Sequence, residues 1–126
     1  MAQRPVLQPS PEHPITVEET RGRVQVRVNG ETVAESSRAL TLRESEYPPV
    51  QYLPLDDVVH GRLAPSGHQT YCPFKGEAGY YHVTTADGAV VEDAVWTYRD
   101  PYPAVAPIAG YVAFYPGKAD ITIAAG

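Results

Sequence analysis

The stretch Arg23-Val-Gln-Val-Arg-Val-Asn-Gly-Glu-Thr-Val-Ala-Glu-Ser36 decides the fold class. Val24, Val26 and Val28 alternate with polar residues, the period of a strand that buries one face. Asn29-Gly30 then supplies two residues that tolerate positive φ, as a type I′ turn demands, and Val33 follows on the return strand. Across a two-residue loop Val26 pairs with Val33 and Arg27 with Thr32, leaving Arg27 on the wetter side. A second stretch has the same build: Tyr80-Tyr-His-Val-Thr-Thr85, a turn at Asp87-Gly88, and a return from Val90 to Tyr98. A two-residue loop there sets Thr84 opposite Val91, His82 opposite Asp93 and Tyr80 opposite Val95, with Tyr81, Val83, Ala94 and Trp96 on the other face. A three-residue loop would shift the register and separate His82 from Asp93.

Outward from these hairpins the signals are shorter. Residues 15–20 alternate weakly, as an edge strand does. Residues 39–42 form a strand that Pro48-Pro49 closes off, because proline cannot donate to a ladder. Residues 50–53, 110–115 and 119–124 are further strands, the last with Ile121 and Ile123 on one side. Residues 54–57 and Pro116-Gly117 are turns, and residues 58–63 stay open between a strand and an irregular crossing. Asp100-Pro101 allows at most a short helical turn near residues 101–108. Residues 1–14 carry prolines at 5, 9, 11 and 14 and read as an extended tail in which His13 is solvated. Residues 15–126 are expected to form a single β domain.

Composition agrees with an all-β chain. Thirteen prolines, ten glycines and nine tyrosines against one methionine and two phenylalanines describe short segments joined by sharp turns. A length of 126 residues suits one domain that buries a core without disulfide or metal clamps. The net charge of −5 excludes broad electrostatic binding to a nucleic-acid polymer or an anionic membrane. The single cysteine rules out an intrachain disulfide framework and a paired-CxxC zinc site, and it suits a reducing cytoplasm. No apolar run approaches the ~20 residues of a membrane span, and the first thirty residues lack a signal peptide's apolar core. The expectation is a soluble cytoplasmic protein.

Chemistry concentrates in His68-Gln-Thr-Tyr-Cys-Pro-Phe-Lys-Gly76. Cys72-Pro73 forces an extended or turning backbone, since the proline ring clashes with a helical predecessor. Gly76 frees the chain to turn after Lys75. Cys72 reads either as a small buried apolar residue or as a reactive thiol, and Lys75 either as a charge placed beside the sulfur or as a solvated side chain. A Cys72–His68 catalytic pair would need the backbone to fold back, and no Asn or Asp stands near to orient the imidazole. His82 beside Asp93 has the pattern of an oriented imidazole, structural or catalytic. Tyr52, Tyr80, Tyr81, Trp96, Tyr98, Phe114 and Tyr115 are either core or the walls of a cleft that stacks on a flat ligand. Glu44 and Glu46 make no convincing carboxylate pair for two-metal chemistry, and no GxxxxGK[ST] loop is present. No metal and no cofactor is expected.

The His-x-Thr-x-Cys-Pro-Phe-Lys-Gly motif, the downstream Tyr80-Tyr81, the Val-Trp-Thr-Tyr-x-x-Pro around Trp96 and the Gly-Tyr-Val-Ala-Phe-Tyr at 110–115 resemble the bacterial domain-of-unknown-function family numbered 427. The likeness covers roughly residues 23–123 and leaves the tail outside. It implies a β-tent-like fold in which two antiparallel sheets meet at an angle over a ligand cleft, and a signature matched by His68, Thr70, Cys72, Lys75 and Gly76. Members are labelled in places as nucleotidyltransferases. Several β-tent proteins bind zinc through four cysteines, which one cysteine does not permit here.

The leading expectation is therefore a small-ligand-binding β domain. Its ligand-binding residues are His68, Thr70, Cys72, Lys75, Gly76, Tyr80, Trp96 and Tyr98, with Cys72 and His68 as catalytic candidates if it is an enzyme. The alternatives are a thiol-dependent or nucleotidyl-transferring enzyme, and a protein-interaction module that uses a sheet edge. Pairing into a homodimer is expected on the habits of small β domains.

Overall fold

The computed structural model of the chain describes residues 4–125. Ten strands follow in order: β1 (Ile15–Glu19), β2 (Arg23–Val28), β3 (Glu31–Ser36), β4 (Leu40–Glu44), β5 (Val50–Tyr52), β6 (Leu63–Cys72), β7 (Gly76–Thr84), β8 (Val90–Thr97), β9 (Val112–Phe114) and β10 (Asp120–Ala124). Short 3-10 segments at Leu55–Asp57 and Pro103–Ile108 are the helical content among these residues. The all-β expectation holds. The second segment starts at Pro103 with Tyr102 before it, two residues beyond the Asp100-Pro101 start expected.

All pairings are antiparallel, and the strands form three sheets where two were expected: β1-β4-β5, β10-β2-β3 and β6-β7-β8-β9. The four-stranded sheet is central. Because successive strand residues face opposite ways, β8 and β9 feed two cores. Val95, Val112 and Phe114 pack with Val24, Val26, Val28 and Val33 beneath the β10-β2-β3 sheet. Trp96, Tyr98 and Ala113 turn to the other face and meet Leu42, Tyr52, Tyr80, Val105 and Ile108 under the β1-β4-β5 sheet and the second 3-10 segment.

The first hairpin has the turn expected, with Asn29 at φ 51° and Gly30 at φ 81°. Arg27 pairs with Thr32 as anticipated, but a bulge then sets Val26 against Ala34 rather than Val33. The second hairpin departs further. Its tip pairs Thr84 with Val90 across a longer loop, and a step of four residues along β8 (Val91 to Val95) then matches a step of two along β7 (Val83 to Tyr81). Asp93 takes up that excess at φ 49°. Tyr80 consequently faces Trp96 and Tyr81 faces Val95, so Trp96 sits with Tyr80 and not with Tyr81 and Val83. A third bulge extrudes Gly67 and His68, since Ser66 pairs with Tyr80 and Gln69 with the adjacent Gly79. Residues 58–62 are an irregular crossing held by the Ala34–Val58 bridge. No helix among the described residues is long and apolar enough to cross a membrane.

From Arg4 onward the tail is strapped down, while residues 1–3 of it lie outside the described residues. Leu7 N–H donates to the Pro73 carbonyl at 3.0 Å, Tyr71 Oη donates to the Pro5 carbonyl at 2.7 Å, and Arg4 pairs with Glu77 at 2.7 Å. Residues 5–13 thus run beside the Cys72–Gly76 turn.

Candidate functional site

The β7–β8 bulge and the Cys72–Gly76 turn together build one cleft. Its volume is about 170 Å³, and its ring walls are Tyr52, Tyr80, Trp96, Tyr98 and Tyr115, with Tyr47 and Pro48 at the rim. The rings brace one another: Trp96 and Tyr115 have centroids 4.5 Å apart, and Tyr52 meets Trp96 edge-on at 6.2 Å. Trp96 Nε1–H donates to Tyr52 Oη at 3.1 Å. The hydroxyls of Thr70, Tyr80 and Tyr115 form a chain at 2.9 and 3.2 Å. Such contacts fix ring orientations and so preform the walls.

The polar wall is Lys75 and Glu44, both lining the cleft. Gly76, at φ +108°, turns the chain sharply enough for the Lys75 side chain to run inward, where 7% of the residue remains exposed. Its Nζ donates to Glu44 Oε1 and lies 3.8 Å from Cys72 Sγ. A lysine this buried requires a counter-charge, because desolvation alone would cost several kcal/mol. Glu44 supplies it, and its Oε2 lies 2.7 Å from His13 Nε2. Burial pushes the Glu44 carboxyl upward, yet the hydrogen bonds from Lys75 and His13 outweigh that and hold it below its ordinary value. His13 is itself fixed by stacking on Phe74, with centroids 4.1 Å apart and planes within 4°. It is therefore not the solvated residue the sequence suggested.

Tyr98 carries a separate signal. Only 7% of the residue is exposed, it lines the cleft, and its hydroxyl has no hydrogen-bond partner among the described residues. Since no polar atom there is both unpartnered and sealed from solvent, that hydroxyl opens onto the cleft. Burial pushes its phenol well above the ordinary 10, as it does for Tyr52 and Tyr115, so all three remain protonated at neutral pH.

Of the eight ligand-binding residues expected, Lys75, Tyr80, Trp96 and Tyr98 line this cleft, joined by Tyr52 and Tyr115 from the wider set of aromatic candidates. Cys72 is half-buried behind Lys75 and packs on the second core. Gly76 shapes the turn from beneath, 3.6 Å from the Asp100 carbonyl at its Cβ position. His68 and Thr70 are exposed on the outer side of Tyr80, His68 with its ring 4.5 Å from the Tyr80 ring and Thr70 through the Tyr80 hydroxyl. They reach the cleft only through that tyrosine. Cys72 and His68 do not form a hydrogen-bonded pair among the described residues, because His68 is carried away by its bulge.

His82 and Asp93 do meet, by a route the register argument did not foresee. His82 Nδ1 accepts the Asp93 backbone N–H at 3.0 Å, while the Asp93 carboxylate accepts from Ser66 Oγ at 2.5 Å. The imidazole holds the bulge closed. Among the described residues no group of three or more His, Cys, Asp and Glu side chains gathers as metal ligands do. Sequence reasoning missed Glu44 and Tyr47, which line the cleft, and His13, which holds Glu44. Glu44 lies 31 positions from both Lys75 and His13, and only its place at the end of a strand before Pro48-Pro49 hinted at a fixed position.

A search of curated proteins finds no match to the chain. Residues 16–125 match the profile of a family described as a domain of unknown function, DUF427. That match takes in the β fold from the second residue of β1 onward and every residue lining the cleft, and the chain belongs to the DUF427 family.

Proposed function

We propose that this chain binds a small ring-bearing molecule in the tyrosine- and tryptophan-walled cleft. The observation that carries the reading is the Tyr98 hydroxyl, which has no partner among the described residues and opens into the cleft from a residue that is itself only 7% exposed. A polar group that faces a mostly ring-lined cleft with its hydrogen-bonding capacity unused is the kind of group that orients a ligand there. Lys75 gives a second anchor beside it. The size favours a single ring: a cavity of about 150 Å³ accepts benzene, whereas drug-sized ligands occupy roughly 300–1,000 Å³. The ligand's polar group is uncharged. The Glu44 carboxylate repels an anion, the Lys75 ammonium repels a cation, and their pairing leaves little net field.

The test is titration of the protein with phenol and benzamide, followed by Trp96 fluorescence, the chain having one tryptophan. Saturable quenching that weakens at least fivefold in Tyr98→Phe, about the worth of one hydrogen bond, supports the reading. Equal binding by Tyr98→Phe and by Lys75→Met would leave the cleft without anchors and refute it.

A further inference from the structure

Resting on that reading of the cleft, we infer that the physiological ligand is longer than one ring and carries an apolar, uncharged tail that leaves the cleft along the groove between β5 and β10. The reason for the groove lies in the topology. Among the described residues the backbone pairing between the β5 segment and β9 is the isolated Leu53–Val112 bridge, one residue past β5. In register, Tyr52 would face Ala113 and Gln51 would face Phe114, but no ladder continues there among the described residues. The gap opens into a groove of about 700 Å³, floored by Trp96 and Phe114 and walled by Val50 on one side and Ile121 and Ile123 on the other.

Val50 and Trp96 line both the cleft and the groove. One molecule can therefore occupy both, with its ring on one side of Trp96 and its tail on the other. Among the described residues Asp120 is the only charged one lining the groove, which disfavours an anionic tail. Ile123 is half exposed, so an aliphatic chain lying on it removes apolar surface from both partners. The ligand class is a neutral ring compound bearing a chain of several carbons.

The experiment measures the affinity of the full chain for 4-alkylphenols and 4-alkylbenzamides with chains from zero to six carbons. Sedimentation runs alongside to report self-association. Affinity rising about threefold to fourfold per methylene, with that rise flattened in Ile123→Asp while the unsubstituted ring binds as before, supports the inference. Ile123→Ala, which keeps the surface neutral, should give a shallower slope of the same sign. Rings that bind with no dependence on chain length would overturn the tail and leave the cleft reading standing. Failure of every ring to bind would overturn both. A chain-length dependence unchanged in Ile123→Asp would place the tail elsewhere. A dimer that Ile123→Asp dissociates, with no chain-length dependence, would make a second copy the occupant of the groove and overturn the inference as well.

Discussion

At the scale of single residues the Glu44–Lys75 pair governs the site. The two charges lie where water is largely excluded, and removing one strands the other. Glu44→Ala should destabilise the protein by about 3 kcal/mol, read as a lowered urea midpoint. Glu44→Leu combined with Lys75→Met should recover most of that loss, since two apolar side chains leave no buried charge unpaired. A double variant as unstable as the single one would show that the charges themselves, and not their mutual dependence, hold this wall. The pair also sets an acid limit. The folded carboxyl titrates below its ordinary 4.5 because Lys75 and His13 outweigh burial. Its contribution is thus complete above about 4.5 and disappears as pH falls through the folded value. Urea midpoints from pH 6 to pH 3 should fall more steeply for the native chain than for Glu44→Gln, and parallel curves would assign the acid sensitivity elsewhere.

At the scale of elements, what the sequence revealed and what it hid divide along sequence distance. Asn29-Gly30 and Asp87-Gly88 mark their hairpins because turn chemistry is local. The bulges are not local. The excess on β8 is absorbed by Asp93 at positive φ and closed by His82, and nothing in the alternation of Val90 to Trp96 announces it. That bulge moves Trp96 to the face of Tyr80, so the cleft's arrangement was hidden although all its rings but Tyr47 were named. The polar wall was half visible: Lys75 stood out in its motif, whereas Glu44 and His13 arrive from strands and tail far along the chain. Gly22 gives the element scale its own prediction. It has φ +113°, and a Cβ there would stand 2.3 Å from the Ala124 carbonyl oxygen. The clash is with backbone, so it is not relieved by a rotamer change. Gly22→Ala should cost more than about 1 kcal/mol and loosen β10 from β2. Hydrogen exchange should quicken at the amides of residues 120–124 while those of β7 stay protected, and uniform acceleration would mean that β10 does not open separately.

For the whole molecule, the central sheet ties two cores into one unit. Adjacent residues of β8 point into different cores, Val95 into the valine-rich one and Trp96 into the ring-walled one. Neither core can lose its packing without moving the strand that floors the other. The tail adds a tie of a different kind, linking residues 5–13 to the segment 71–74 through the Pro5–Tyr71 and Leu7–Pro73 hydrogen bonds and the stacking of His13 on Phe74. Unfolding should therefore be a single cooperative transition, although the sheets are three. Val26→Ala tests this from a distance. Val26 is fully buried in the valine-rich core and takes no part in the cleft. Deleting its two methyl groups should cost about 2 kcal/mol. Trp96 fluorescence, which reports the other core, and far-UV circular dichroism, which reports all the sheets, should then shift to the same lowered urea midpoint, the signature of two-state behaviour. A fluorescence midpoint that stayed in place while the dichroism moved would show the cores melting separately. The cleft would then belong to a half of the molecule that stands without the first hairpin.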